Sequence, residues 1–261
     1  HLVLLVVAML TLPLSIATSW GDPPNSGYAF WLLGLFLISI GLPFFALAAN
    51  NPLLQAWFVR TGHPDAHDPY FLYAASNVGS FLALLAYPAL FEPVFTLQIQ
   101  NRMWSVGFVL LILLVAGCAV LMLNAPRRRS SEPRRSRTAP KPTWLAVGRW
   151  IFISAVPSGL LVAVTAYIST DVAAAPLLWV IPLSLYLLTW VLVFQRRPLI
   201  PHRVVLLLQP FAVATIVVLL FYTTWIPIFI NIGLHLLAFF IIALACHGEL
   251  ARTRPPSRDL T

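Results

Sequence analysis

Eight apolar runs, each about as long as a hydrocarbon core is thick, dictate what this chain can fold into. They cover roughly residues 2–19, 29–49, 70–90, 103–123, 147–168, 176–195, 204–222 and 226–246. A helix needs ~20 such residues to cross a ~30 Å core. Inside lipid the backbone must satisfy its own N–H and C=O groups, and a helix does so within itself. Numbering the gaps between runs alternately sorts the basic residues. Arg60, the seven Arg and Lys from Arg127 to Lys141, Arg149, Arg196, Arg197, Arg203, Arg252, Arg254 and Arg258 fall in one set, and only Arg102 falls in the other. The positive-inside rule assigns the crowded set to the cytoplasm. The expected fold is an all-α polytopic transmembrane helix bundle with eight spans and both ends cytoplasmic.

Composition removes the main competitors. Charged residues are 9% of the chain, against about a quarter in a soluble domain, which excludes a water-soluble fold. The formal charge of +8 does not mark a nucleic-acid binder. Its basic groups flank spans, where they set topology and meet anionic cytoplasmic lipid. Cys118 falls in mid-span four and Cys246 at the inner end of span eight, depths that argue against a disulfide between them.

The clearest boundary is the basic, Pro- and Ser-rich stretch 124–143, too poor in apolar surface to order itself. It divides the chain into a first four-span half, 1–123, a cytoplasmic linker, 124–143, a second four-span half, 144–250, and a cytoplasmic tail, 251–261. The tail reads as truncated, and His1 in place of Met reads as a cut start. Two spans look interrupted. Pro52 after Ala49-Asn50-Asn51 predicts a kink followed by a short interfacial helix. Pro157-Ser158-Gly159 lies halfway along span five, where a break exposing carbonyls competes with a simple packing kink.

No predicted span holds a carboxylate in its middle, which argues against a self-sufficient proton-coupled carrier. His235 is the one titratable group near mid-membrane, and Asn231 lies one turn before it on the same face. The pair fits either a substrate path or an interhelical hydrogen bond that fixes packing. Tyr73 and Asn77 form a polar stripe on span three, beside the small residues Ser76, Gly79, Ser80 and Ala83. Close helix packing and a cavity wall are the two readings of that face. Asn50 and Asn51 at the kink, and Asp171 at the outer end of span five, complete the substrate-path candidates. The loop Gly62-His63-Pro64-Asp65-Ala66-His67-Asp68-Pro69 has ligand types, but its prolines break the helix that would align the two imidazoles. A turn capping span three at Asp68-Pro69 explains it better. Cys246-His247-Gly248-Glu249 has no second cluster of matching spacing. No metal site, cofactor motif or catalytic signature is present in the sequence.

Several motifs together carry a family likeness. Gly41-Leu42-Pro43-Phe44-Phe45, Asn51-Pro52-Leu53-Leu54-Gln55-Ala56-Trp57-Phe58 and Asp68-Pro69-Tyr70-Phe71-Leu72-Tyr73-Ala74-Ala75-Ser76-Asn77-Val78-Gly79-Ser80 resemble the fused major-facilitator/spermidine-synthase-like membrane proteins of bacteria. Tyr87-Pro88 with Glu92-Pro93, Tyr167-Ile168-Ser169-Thr170-Asp171, Pro176-Leu177-Leu178-Trp179 and Cys246-His247-Gly248-Glu249-Leu250 extend the resemblance. It implies a bacterial inner-membrane location and a following cytoplasmic synthase-like domain as partner. The aminopropyltransferase-like chemistry would belong to that domain, so no catalytic residue carries over to this chain. The implied function is a membrane module that anchors the synthase-like part and exchanges a small polar or cationic metabolite with it. A stand-alone transporter is the alternative.

Overall fold

The computed structural model describes residues 1–24, 26–61, 63–67, 71–124, 143–171, 177–195, 199–222 and 226–253. Most of the linker, the tail beyond Thr253 and the Asp68-Pro69 turn lie outside them. The described residues form an all-α bundle of ten helices: α1 (Leu2–Met9), α2 (Tyr28–Ala48), α3 (Asn50–Val59), α4 (Phe71–Ala86), α5 (Glu92–Val94), α6 (Leu97–Asn124), α7 (Trp144–Asp171), α8 (Val180–Phe194), α9 (His202–Tyr222) and α10 (Ile228–Thr253). Six helical stretches are long and apolar enough to cross a membrane: Tyr28–Val59, Phe71–Val94, Leu97–Asn124, Trp144–Thr170, His202–Tyr222 and Ile228–Thr253.

Two of the eight expected spans come out shorter than a bilayer. The first run yields only the eight residues of α1. Pro13 disfavours helix at Leu12, and the chain leaves the helix before it. The freed backbone of Leu14 is met by the side chain of Asn101, which accepts from its N–H at 3.0 Å and donates to its C=O at 2.8 Å. The sixth run yields α8, 15 residues long. Pro182 lies in its first turn, where a missing N–H has no intrahelical partner to lose.

Other boundaries moved as well. α2 ends at Ala48 and α3 starts at Asn50, as Pro52 requires. A wider π turn, Tyr87–Phe91, follows α4 where Pro88 cannot donate. α7 runs unbroken through Pro157. Of the two readings of Pro157, the continuous helix removes the break, and Ser158 donates to the carbonyl of Ser154 at 3.0 Å in the same turn. Arg102 stands inside α6 rather than in a loop, and α10 continues a further seven residues past the predicted end, to Thr253.

The chain divides into two compact units. The first holds α1, α2, α3, α5 and α6. Its core is Leu5 and Ala8 of α1, Ala46 of α2, and Phe108 and Val115 of α6. Gly34 leaves room for Trp20, whose ring would lie 2.4 Å from an added Cβ. The second unit holds α4 and α7 to α10, so α4 groups with the later helices and not with the first half of the sequence. α10 is its central helix, packed by α7, α8 and α9, while α4 packs on α8. Phe239 and Ala243 of α10 meet Val164 and Ile168 of α7. Val205 and Ala212 of α9 meet the opposite side of α10, and Ala74 of α4 meets Phe194 of α8.

Candidate functional site

α10 occupies the middle of its unit, where an all-apolar helix would be the simplest solution. It carries three buried polar side chains instead: Asn231, His235 and His247. Polar groups within spans are rare because each needs a partner in the absence of water, so what each one meets decides its role.

His235 donates from Nδ1 to the carbonyl of Asn231 at 3.0 Å. Its ring stacks on Tyr167 of α7, with centroids 4.6 Å apart and planes 28° from parallel. The shared face inferred from the i, i+4 spacing is therefore present, although the partner is the Asn231 backbone and not its amide. The Asn231 side chain is 1% exposed and its Oδ1 has no hydrogen-bond partner among the described residues.

His247 is the residue sequence reading undervalued. It is fully buried between α10 and α8, edge-on to Tyr186 at 5.0 Å and against Trp190 at 4.3 Å. Thr189 gives its only proton to the carbonyl of Tyr186 at 2.6 Å. Its Oγ1, 2.7 Å from His247 Nδ1, must then accept from that nitrogen. In the neutral ring Nε2 is left as an acceptor, and it has no partner among the described residues. Steps of four from Asn231 and His235 reach position 247, but each step drifts by about 40° round the helix, so His247 lies off that face and points toward α8. Only the packing of α8 on α10 brings Thr189, Tyr186 and Trp190 to it. Ser184 of α8, also buried, has an unpartnered Oγ.

A charged group closes this end of the unit. Glu249 pairs with Arg149 of α7 through Oε1 and lies 3.5 Å from His202 Nε2 through Oε2. Trp150 donates to the carbonyl of Thr253 at 3.0 Å. Gly248 permits the arrangement, since a Cβ there would lie 2.4 Å from His202 Nδ1.

The remaining candidates separate from this column. Asn77 donates to the carbonyl of Tyr73 at 2.8 Å, closing on its own helix. Tyr73 packs on Phe194 with ring centroids 6.2 Å apart. Ser76, Gly79, Ser80 and Ala83 are exposed, and an added Cβ at Gly79 meets nothing within 4 Å, so no described helix of its own unit seats on this stripe. Asn50 accepts from His1 at 2.7 Å, and Asn51 accepts from Gln55 at 2.8 Å, both in the first unit. Asp171 ends α7, and its side chain lies outside the described residues.

No protein-family model, curated protein or solved structure matches this chain. The site is read from its own residues.

Proposed function

We propose that this chain is the membrane domain of a spermidine-synthase-like fusion protein in a bacterial inner membrane. In this reading its second helical unit exchanges a small polar or cationic metabolite with a cytoplasmic synthase-like domain. The observation that supports it is the pair of buried, unpartnered acceptors on α10, Asn231 Oδ1 and His247 Nε2. A buried polar atom without a partner is unfavourable by about 1–3 kcal/mol and calls for water or a ligand to complete it. Both atoms accept, so the complementary solute is a donor such as an amine, an ammonium group or a hydroxyl. Sixteen residues separate them, about 24 Å along the helix at 1.5 Å per residue. That spacing, and the different sides of α10 on which the two atoms lie, suits two separate stations better than one binding pocket.

The topology in this proposal has both ends cytoplasmic and treats α1 and α8 as the shortest of eight membrane segments. The charge count supports α8 as a crossing although it is only about 22 Å long. Without it, Arg196, Arg197, Arg203 and the C-terminal arginines would fall on the opposite side from the linker. α4, α7 and α10 pack around α8, and protein-buried segments tolerate the short length that lipid-facing ones do not.

The test is uptake into proteoliposomes by the purified chain, with a panel of small amines and neutral polyols. At least one amine should be moved, and His247→Phe and Asn231→Leu should each slow it roughly tenfold, as loss of one ligand hydrogen bond predicts. His247→Phe should leave stability within about 1 kcal/mol, because Thr189 keeps its bond to Tyr186. Equal uptake by both variants and the parent would sink the proposal. A reporter fused after Thr261 should be active only in its cytoplasmic form.

A further inference from the structure

α7 and α9 both pack on α10 without packing closely on each other, which leaves an open groove of about 540 Å³ floored by α10. Phe152 and Val156 of α7 form one wall, Val213 and Val217 of α9 the other, and Ile242 and Cys246 the floor. Its volume lies within the ~300–1,000 Å³ of small-molecule sites. The α9 wall runs from Leu206 to Val217, about 16 Å at 1.5 Å per residue. One leaflet of a ~30 Å core is about 15 Å deep. The groove therefore matches the depth of a single leaflet and does not reach across the membrane.

One end is polar. Glu249 lines it there, and Arg149 and His202 meet that carboxylate. Each lining stripe runs on toward this end into an arginine at helical spacing. Arg149 precedes Phe152 by three residues, Arg203 precedes Leu206 by three, and Arg252 follows Glu249 by three. All three arginines are exposed. Three guanidinium groups against one carboxylate favour an anion, and guanidinium presents a fork that fits phosphate.

We infer that this groove holds one acyl chain of an anionic phospholipid whose phosphate lies on Arg203 and Arg252, beside the Arg149–Glu249 pair. The inference depends on the membrane setting and not on solute exchange, so either can fail alone. A zwitterionic lipid with the same chains would fill the groove but gain less from the arginines.

The experiment is native mass spectrometry and thermal melting of the full chain in mild detergent, titrated with phosphatidylglycerol or phosphatidylcholine of identical chains. Phosphatidylglycerol should bind roughly tenfold tighter and raise the melting temperature, in line with charge-assisted hydrogen bonds. Arg203→Gln with Arg252→Gln should abolish the preference while phosphatidylcholine binding persists. Val213→Trp and, separately, Val217→Trp should fill the groove and remove both lipids. Either variant that melts cooperatively is sufficient for this arm. Equal binding of the two lipids, or undiminished phosphatidylglycerol in a cooperatively melting Trp variant, would overturn the inference. So would an equal shift with glycerol phosphate alone, which would mean a headgroup site without a chain. A lipid-free dimer dissociated by Val213→Trp would give the groove to a second copy.

Discussion

The two helical units treat buried polarity differently. In the first, polar side chains close on partners: His1 with Asn50, Gln55 with Asn51, and Asn101 with both backbone groups of Leu14. Among its described residues only the indole nitrogen of Trp31 is buried without a partner. The second unit leaves Ser184 Oγ, Asn231 Oδ1 and His247 Nε2 open, and holds His202 Nε2 at ion-pair distance from Glu249 without a hydrogen bond. In a medium without water, paired groups hold helices together, and unpaired ones lower stability unless a further molecule completes them. The contrast separates a unit whose polar residues build structure from one whose polar residues have capacity to spare.

The largest effect that sharpens this contrast comes from two glycines under the same constraint. An added Cβ at Gly248 meets His202 at 2.4 Å, and one at Gly34 meets Trp20 at the same distance. His202 is wedged beside Glu249, with its side chain 18% exposed, whereas Trp20 is 38% exposed and the bond that holds its indole to the Trp31 carbonyl is a solvent-accessible one. Gly248→Ala should incur most of an overpacking penalty of about 1–3 kcal/mol, only partly offset by the 0.5–1 kcal/mol or so that Ala gains over Gly within a helix. Gly34→Ala should come out near neutral. Melting temperatures in detergent measure both, and equal losses would show that the charged end of the second unit is no more constrained than the rim of the first.

A middle-sized effect separates holding from handling. His235→Leu removes the bond to Asn231 and the stack on Tyr167, and Asn50→Leu removes the bond to His1. Each should lower stability by about 0.5–1.5 kcal/mol, the usual net contribution of an intramolecular hydrogen bond. Only His235→Leu should also slow exchange per folded molecule. If Asn50→Leu slows it equally, the division between the units is wrong.

Much of this was legible before any coordinates. Hydropathy located the six long helices because span length follows from the thickness of lipid, a property outside the chain. Pro52 marked the α2–α3 break, and the spacing of Asn231 and His235 put both on one face. Length failed at two runs: α8 stops at 15 residues packed by α4, α7 and α10, and the first run ends as helix ahead of Pro13, with Asn101 meeting the backbone of Leu14. At Pro157 the sequence left a break and a packing kink open, and the unbroken α7 with Pro157 fully buried removes the break. His247 needed tertiary information, because nothing in its own stretch identifies Thr189 as the group that fixes which ring nitrogen is left open. Ser76, Gly79, Ser80 and Ala83 gave a clear pattern that the described packing within the second unit does not use.

The smallest expected effect tests the frame on which the whole contrast rests. α2 turns Phe30, Leu33 and Leu37 outward, with Phe30 82% exposed. In water such a face would drive association. Against acyl chains the same ring has no transfer free energy to lose, since lipid is as apolar as the side chain. Phe30→Ala should therefore change stability by no more than about 0.5 kcal/mol, as for an ordinary surface substitution, in lipid nanodiscs as in detergent. A loss above about 2 kcal/mol would show that protein covers this face, since truncating a packed aromatic leaves a cavity and is far more destabilising. The first unit would then be an assembly surface and not a lipid-facing one, and the unpartnered indole nitrogen of Trp31 would have to be reread as part of an interface.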